Sequence, residues 1–217
     1  MRFAIRKRFE TEAGASARAA VVRAMFGLTA ERMRQTPVVH SCEFEAQPGD
    51  IIYITGASGA GKSVILRELE GDVERHEKVN LNEMDLSGDG AVIDCVGGDV
   101  AEALRLLSVC GLSDCFCVLG RPGNLSEGEK WRLKLAMALA DGKKFVFCDE
   151  FCSGLDSVTA AVVSYNVRKF AKKRPVTFFL AGSREDVLAD LRPDILVVKE
   201  STGNSQVIYR NKVPVVN

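Results

Sequence analysis

The feature that most restricts this chain is the run Gly56-Ala57-Ser58-Gly59-Ala60-Gly61-Lys62-Ser63, a full match to G-x4-G-K-S/T. It follows Ile51-Ile-Tyr-Ile-Thr55, a continuous apolar run expected of a strand buried on both faces, and it opens a helical pattern over Ser63 to Glu70. Strand, glycine loop and helix in that order predict a phosphate cradle. Gly56, Gly59 and Gly61 let the backbone curl so that successive N–H groups point inward, and the helix adds its positive end. Ala57, Ser58, Ala60 and Val64 are expected to contribute backbone contacts. Lys62 is expected to neutralise the β/γ-phosphates of a nucleoside triphosphate, and Ser63 to give its hydroxyl to Mg2+. A glycine-rich turn with a chance Lys-Ser is the competing reading, and the flanking strand and helix patterns argue against it.

The second constraint is an apolar run, Lys144-Phe-Val-Phe-Cys148, that ends in Asp149-Glu150. A carboxylate at the carboxyl end of a strand beside the glycine loop is where Mg2+ needs a second protein anchor, so Asp149 is expected to take that part. Glu150, pointing elsewhere, is expected to polarise the attacking water as general base. Two more apolar runs, Val176 to Leu180 and Asp194 to Val198, alternate with helical patterns at Val100 to Val109, Glu127 to Ala140 and Ser157 to Lys173. Phe3 to Phe9 alternates as a half-buried strand should, and Ala17 to Met25 suits a helix. The expected fold class is α/β, with a mainly parallel central sheet and right-handed crossovers.

Composition narrows the classes further. With 217 residues, 47% of them hydrophobic, the chain is expected to form one domain over residues 1–217 around a substantial core. Its 29 basic residues equal its 29 acidic ones, so overall charge demands neither a nucleic-acid nor a membrane partner. Between Met1 and Arg34, however, eight basic residues stand against Glu10, Glu12 and Glu31. That segment reads as a solvated face or as a docking face for nucleic acid. Seven cysteines, mostly inside apolar runs and without a Cys-x2-Cys pair, read as reduced thiols rather than a metal site. No run suits a signal peptide or a bilayer span, so a soluble, cytoplasmic protein is expected.

Together the motifs resemble the ABC-ATPase family over roughly Asp50 to Val198. Leu125-Ser-Glu-Gly-Glu129 looks like its LSGGQ signature, and Ser153-Gly-Leu-Asp156 looks like its D-loop. The resemblance implies ATP and Mg2+ as ligands and a head-to-tail homodimer formed on ATP binding. In it, Ser126 and Gly128 would complete a neighbour's site, and Asp156 of the D-loop would belong to the nucleotide-binding residues. Residues 1–49 would form N-terminal strands and a helix, and residues 82–140 a reduced helical subdomain carrying the signature. Independently, Ser126 followed by Glu129 is a capping-box pattern. An adenine-stacking aromatic is expected upstream of the glycine loop, with Phe26 preferred to Phe9; either would equally suit a core.

Departures from the family pattern bear on rate. Glu127 and Glu129 replace a glycine and a glutamine, adding negative charge where a γ-phosphate would dock, so slow hydrolysis is expected. The family's glutamine between glycine loop and signature is missing, with Asp94 the expected replacement. Its switch histidine is missing too, and Arg184 is expected to reach the γ-phosphate instead, with a plain surface arginine as the alternative. Lys62 and Ser126 are 64 residues apart, shorter than the resemblance implies for transporter subunits. Met25-Phe-Gly-Leu28, Leu106 to Leu112, Leu125 to Arg132, Asp149 to Asp156 and Asp190 to Asp194 are most similar to ABC-type ATPases fused to GNAT-type acetyltransferases. The expectation is therefore a soluble dimerising ATPase that switches a separate enzyme, such as an acetyltransferase, or a nucleic-acid partner. A transporter's nucleotide-binding subunit and a non-hydrolysing ATP-dependent structural module are the alternatives.

Overall fold

The apolar run before the glycine loop forms β3 (Ile51–Gly56) and lies inside a six-stranded sheet. The computed structural model describes residues 1–9, 16–27, 29, 38–200 and 204–210. Glu10, Glu12, Leu28, Glu31, Arg32 and Arg34 fall outside the described residues, as does the side chain of Phe9.

In chain order the elements are β1 (Arg2–Phe9), α1 (Ala17–Met25), β2 (Val38–Glu45), β3, α2 (Lys62–Gly71) and β4 (Lys78–Asn80). A 3-10 turn (Val92–Cys95), α3 (Val100–Val109), α4 (Cys115–Leu119), a second 3-10 turn (Pro122–Asn124) and α5 (Glu127–Ala140) follow. The chain continues through β5 (Phe145–Cys148), α6 (Ser157–Lys173), β6 (Thr177–Ala181), α7 (Leu188–Leu191), β7 (Ile195–Lys199) and β8 (Ser205–Tyr209). The sheet order is β4-β5-β6-β3-β7-β8, parallel except for the β7–β8 edge, and β1 and β2 form a separate antiparallel ribbon.

The sheet is buried on both faces, which explains its continuous apolar strands. Because side chains alternate along a strand, Ile51 and Tyr53 point to one face with Val146, Cys148, Phe178 and Leu180. There they meet α3, α5 and α6 through Leu106, Leu135 and Val163. Ile52 and Ile54 point to the other face with Phe147 and Phe179, against Ile65, Leu66 and Leu69 of α2 and against Phe3, Ile5 and Phe44 of the ribbon. Phe147 and Phe179 stack at 4.7 Å between centroids, which locks β5 to β6.

One placement departs from expectation. The strand ending in Asp149 is not the neighbour of β3, because β6 lies between them. The sequence shows strand identity but not lateral order, which the crossover helices decide. Asp149 therefore sits two strand spacings, about 9–10 Å, from the line of β3 in the sheet plane.

Candidate active site

The glycine loop crowns β3. Its conformation depends on glycine at three positions of positive φ, two of them also closely packed. Gly56 has φ 143°, and a Cβ there would lie 2.3 Å from the Lys199 carbonyl oxygen. Gly61 has φ 95°, and its Cβ would enter the His40 ring of β2 at 2.3 Å. Gly59, at φ 77°, also needs glycine for its backbone, although it faces open space. Gly61 is the N-cap of α2 and offers no side-chain oxygen, so the first amides of α2, at Lys62, Ser63 and Val64, have no capping acceptor of that kind. A loop walled by His40 and Lys199 beneath and open above, next to uncapped amides, fits an anion. The Lys62 ammonium donates to the Gly56 and Ala57 carbonyls at 2.9 and 3.0 Å, which holds its charge over the loop.

At the end of β5, Asp149 is half-buried and Glu150 is exposed. Asn82, just past β4, holds Asp149 at both backbone groups. Its amide oxygen accepts the Asp149 N–H at 2.7 Å, and its amide nitrogen donates to the Asp149 carbonyl at 3.0 Å. The reading of motifs missed Asn82. The repeated asparagines in Asn80-Leu-Asn82 are the only signal for it in the sequence. The Asp149 carboxylate accepts the Glu150 N–H at 3.0 Å, so the two acidic groups diverge as expected of adjacent residues. Cys148 and Cys152 flank this pair, and burial pushes both thiols up to about 12, leaving them protonated at neutral pH. Among the described residues no three His, Cys, Asp or Glu side chains converge as a metal cage. A hydroxyl, one or two carboxylates and phosphate oxygens are the donor set that suits Mg2+, which rarely takes an all-protein cage.

Ser126 is the N-cap of α5 and exposed. The expected capping box forms: the Glu129 N–H reaches the Ser126 hydroxyl, and the Glu129 carboxylate accepts the Ser126 N–H at 2.8 Å. That carboxylate also accepts the Ser126 hydroxyl proton at 2.7 Å and the Cys117 thiol at 3.2 Å. A carboxylate only accepts, so the single proton of Ser126 is committed to Glu129 until that contact opens. Gly128 is buried where α5 crosses α6, with room for no side chain: a Cβ would lie 2.7 Å from the Thr159 methyl. Ser126 to Glu129 share a hollow of about 320 Å³ with Gly154, Leu155 and Asp156. A second hollow of about 250 Å³ is lined by Asp149, Glu150, Glu127 and Lys134. The acidic pair, the loop at 153–156 and the signature thus share one region of surface.

Other expected residues stand differently. Asp156 uses its carboxylate to cap α6, accepting the Val158 and Thr159 N–H groups at 3.0 Å. Asp94 caps its own 3-10 turn through the Ala91 N–H at 3.0 Å. Phe26 is 73% exposed at the C-cap of α1, a helix with no buried residue, so it is not part of the core. Arg184, expected at the γ-phosphate, turns instead into its own chain. It donates to the Cys152 carbonyl at 3.1 Å, to the Leu155 carbonyl and to Ser157 and Asp186. Two carbonyls and a carboxylate within reach outweigh an open, hydrated position for a guanidinium.

A glycine loop on a central parallel strand, a capped helix start at Ser126 and an acidic pair two strands from the loop follow one another along the chain, on an α/β fold shared with solved ATP-binding cassettes. No protein-family model matches the chain. It is 28% identical to the methionine import ATP-binding protein MetN of Clostridioides difficile (strain 630), over 79% of this chain and 65% of that one. It is 27% identical to MetN of Escherichia coli (strain K12), over 83% and 61%. MetN 2 of Salmonella typhi is 25% identical, over 78% and 60%, so the match spans less than two thirds of each of these relatives. Among solved structures, the ATP-binding cassette MJ0796, in a dimeric post-hydrolysis state with ADP and phosphate, superposes with a TM-score of 0.64 at 16% identity. That match covers 81% of this chain and 93% of MJ0796. A putative metal-chelate type ABC transporter in an inward-facing conformation gives 0.63 at 18% identity, over 79% and 77%. These structures share the fold.

Proposed function

We propose that this chain is a nucleotide-binding subunit that hydrolyses MgATP between two copies packed head to tail and passes the resulting movement to a membrane partner. One observation carries the shared-site reading. Ser126 and the start of α5 are exposed, beside Gly154 to Asp156 and the acidic pair, while the chain's own glycine loop lines neither hollow. A helix start with that exposure is free to meet the glycine loop of a second copy.

Within such a seam, the amides of residues 57–64 and Lys62 bind the phosphates, and Ser63 and Asp149 hold Mg2+. When bound, Mg2+ neutralises triphosphate charge as the terminal phosphoryl group transfers. Glu150 orients water and accepts its proton as the water oxygen bonds to the γ-phosphorus, and the bond to the β-phosphate oxygen breaks to release ADP and phosphate. Glu127 and Glu129 place negative charge at the closing face, consistent with slow turnover. The chain works as one domain, with residues 82–140 as its helical part, on the cytoplasmic side of a membrane.

The membrane partner is supported by the names of the relatives, which are import ATP-binding proteins. It is supported also by an apolar groove of about 760 Å³ along α3 and α4, rimmed by exposed Val100, Leu104 and Leu119. Among the described residues no helix is long and apolar enough to cross a membrane, so the partner would supply the span. The short interval from Lys62 to Ser126 favours a second reading, a dimerising switch on a separate enzyme such as an acetyltransferase.

The test is the size of the Glu150→Gln protein in solution with and without MgATP. A dimer only with MgATP is expected, together with loss of the turnover seen in the parent chain. A monomer under both conditions excludes the shared site.

A further inference from the structure

Two residues in the loop between β5 and α6 hold a backbone conformation that L side chains rarely adopt: Glu150 at φ 53° and Cys152 at φ 59°. Such geometry persists only where neighbours enforce it, and it gathers at functional loops. Two contacts enforce it here. The Phe151 N–H donates to the Ala181 carbonyl at 2.7 Å, tying the loop to the end of β6. The rest is done by Arg184.

The Arg184 Nη1 donates to the carbonyls of Cys152 and Leu155, one on each side of Ser153-Gly154. Nη2 reaches the Ser157 hydroxyl at 3.3 Å, in the first turn of α6. Nε and Nη2 are held by the Asp186 carboxylate, which orients the planar fork so that Nη1 faces the loop. The backbone of Arg184 is fixed as well, since its carbonyl accepts the hydroxyl of Tyr53 at 2.9 Å. Tyr53 is fully buried and belongs to β3, the strand that carries the glycine loop. One continuous series of hydrogen bonds therefore runs from β3 through Arg184 to the loop bearing Glu150.

We infer that Arg184 is a positioning residue: it clamps residues 150–157 against β3 and β6 and so fixes the direction of the Glu150 carboxylate, acting on hydrolysis through Glu150 without touching the γ-phosphate. All three guanidinium nitrogens are engaged. Lysine, with a single nitrogen and no planar fork, cannot span Cys152, Leu155 and Ser157 together. The consequence for turnover rests on the hydrolysis reading above; the clamp itself does not.

Arg184→Ala, Arg184→Lys and Asp186→Asn, made in the full chain, are compared with the parent by hydrogen exchange and by ATPase kinetics. The amides of Ser153 and Leu155, bonded to the Glu150 and Cys152 carbonyls, report the loop. Both Arg184 variants are expected to speed exchange across 150–157 by about tenfold while residues 51–64 are unchanged. In both, kcat falls about tenfold or more, with KM and binding of a non-hydrolysable ATP analogue within about twofold. Unchanged exchange with weakened analogue binding would make Arg184 a phosphate ligand and overturn the inference, as would a parent-like kcat. Melting curves identify a variant that fails to fold, in which case Asp186→Asn, which keeps the arginine, carries the comparison. A parent chain with no turnover would refute the hydrolysis reading, while the exchange rates still decide the clamp.

Discussion

Glu129 shows how one substitution changes a motif's chemistry. Three donors converge on its carboxylate and hold it below the usual carboxylate range. The Ser126 hydroxyl contributes most, followed by the Ser126 N–H and the Cys117 thiol. A carboxyl group more acidic in the folded than in the unfolded chain stabilises the fold at pH above its unfolded pKa. That contribution is lost as pH falls through the folded value. Near pH 7, Glu129→Ala is expected to cost about 0.5–2 kcal/mol, the usual range for a helix cap. The gap in melting temperature between parent and variant should then narrow as pH drops from about 6 to about 3. A gap constant across that range would mean the carboxylate charge has no part in the cap. At this scale the sequence was most informative where chemistry depends on residue type: Gly56, Lys62, Ser63, Asp149 and Ser126 stood out by motif. Asn82 did not, and Arg184 stood out by its position but not by its partners, because the contacts of both come from carbonyls and amides brought close by folding. Neither a single arginine nor an asparagine carries a pattern along the chain.

Among the elements, the crossing of α5 over α6 is tightest at Gly128, where the absence of a side chain lets the start of the signature helix approach Thr159. Gly128→Ala is expected to cost about 1–3 kcal/mol as the two helices separate, read from the midpoint of urea unfolding. Removing the opposing methyl with Thr159→Ser should return most of that loss; an equal cost in both backgrounds would place the strain elsewhere. The principal strands and helices were legible within a residue or two, because continuous apolar runs and helical periodicity differ clearly. The ribbon strand β2, the short strand β4, the edge strand β8 and the brief helices α4 and α7 were not. β4, α4 and α7 have too few residues for a period to show, while β2 and β8 are defined by pairing with β1 and β7.

Across the whole molecule, the groove along α3 and α4 distinguishes the two readings of its work. Phe116, 89% exposed on α4 beside the groove, gains nothing from this chain's own core. If a membrane partner seats there, Phe116→Asp should leave turnover of the isolated chain within about twofold of the parent yet remove its recovery with detergent-extracted membranes, since a charge buried against apolar surface is costly. Equal recovery of parent and variant would favour a switch acting away from membranes.

From the sequence alone came the α/β class, the glycine loop between strand and helix, the adjacent acidic pair and the capped start of α5, since each depends on residues close along the chain, whose spacing sets local geometry. Only the tertiary structure decided that β6 separates the acidic pair from the glycine loop, that Arg184 turns toward its own loop, and that Glu129 takes the proton of Ser126. Strand order and side-chain partners follow from which surfaces pack together, and packing joins residues whose separation along the chain carries no pattern.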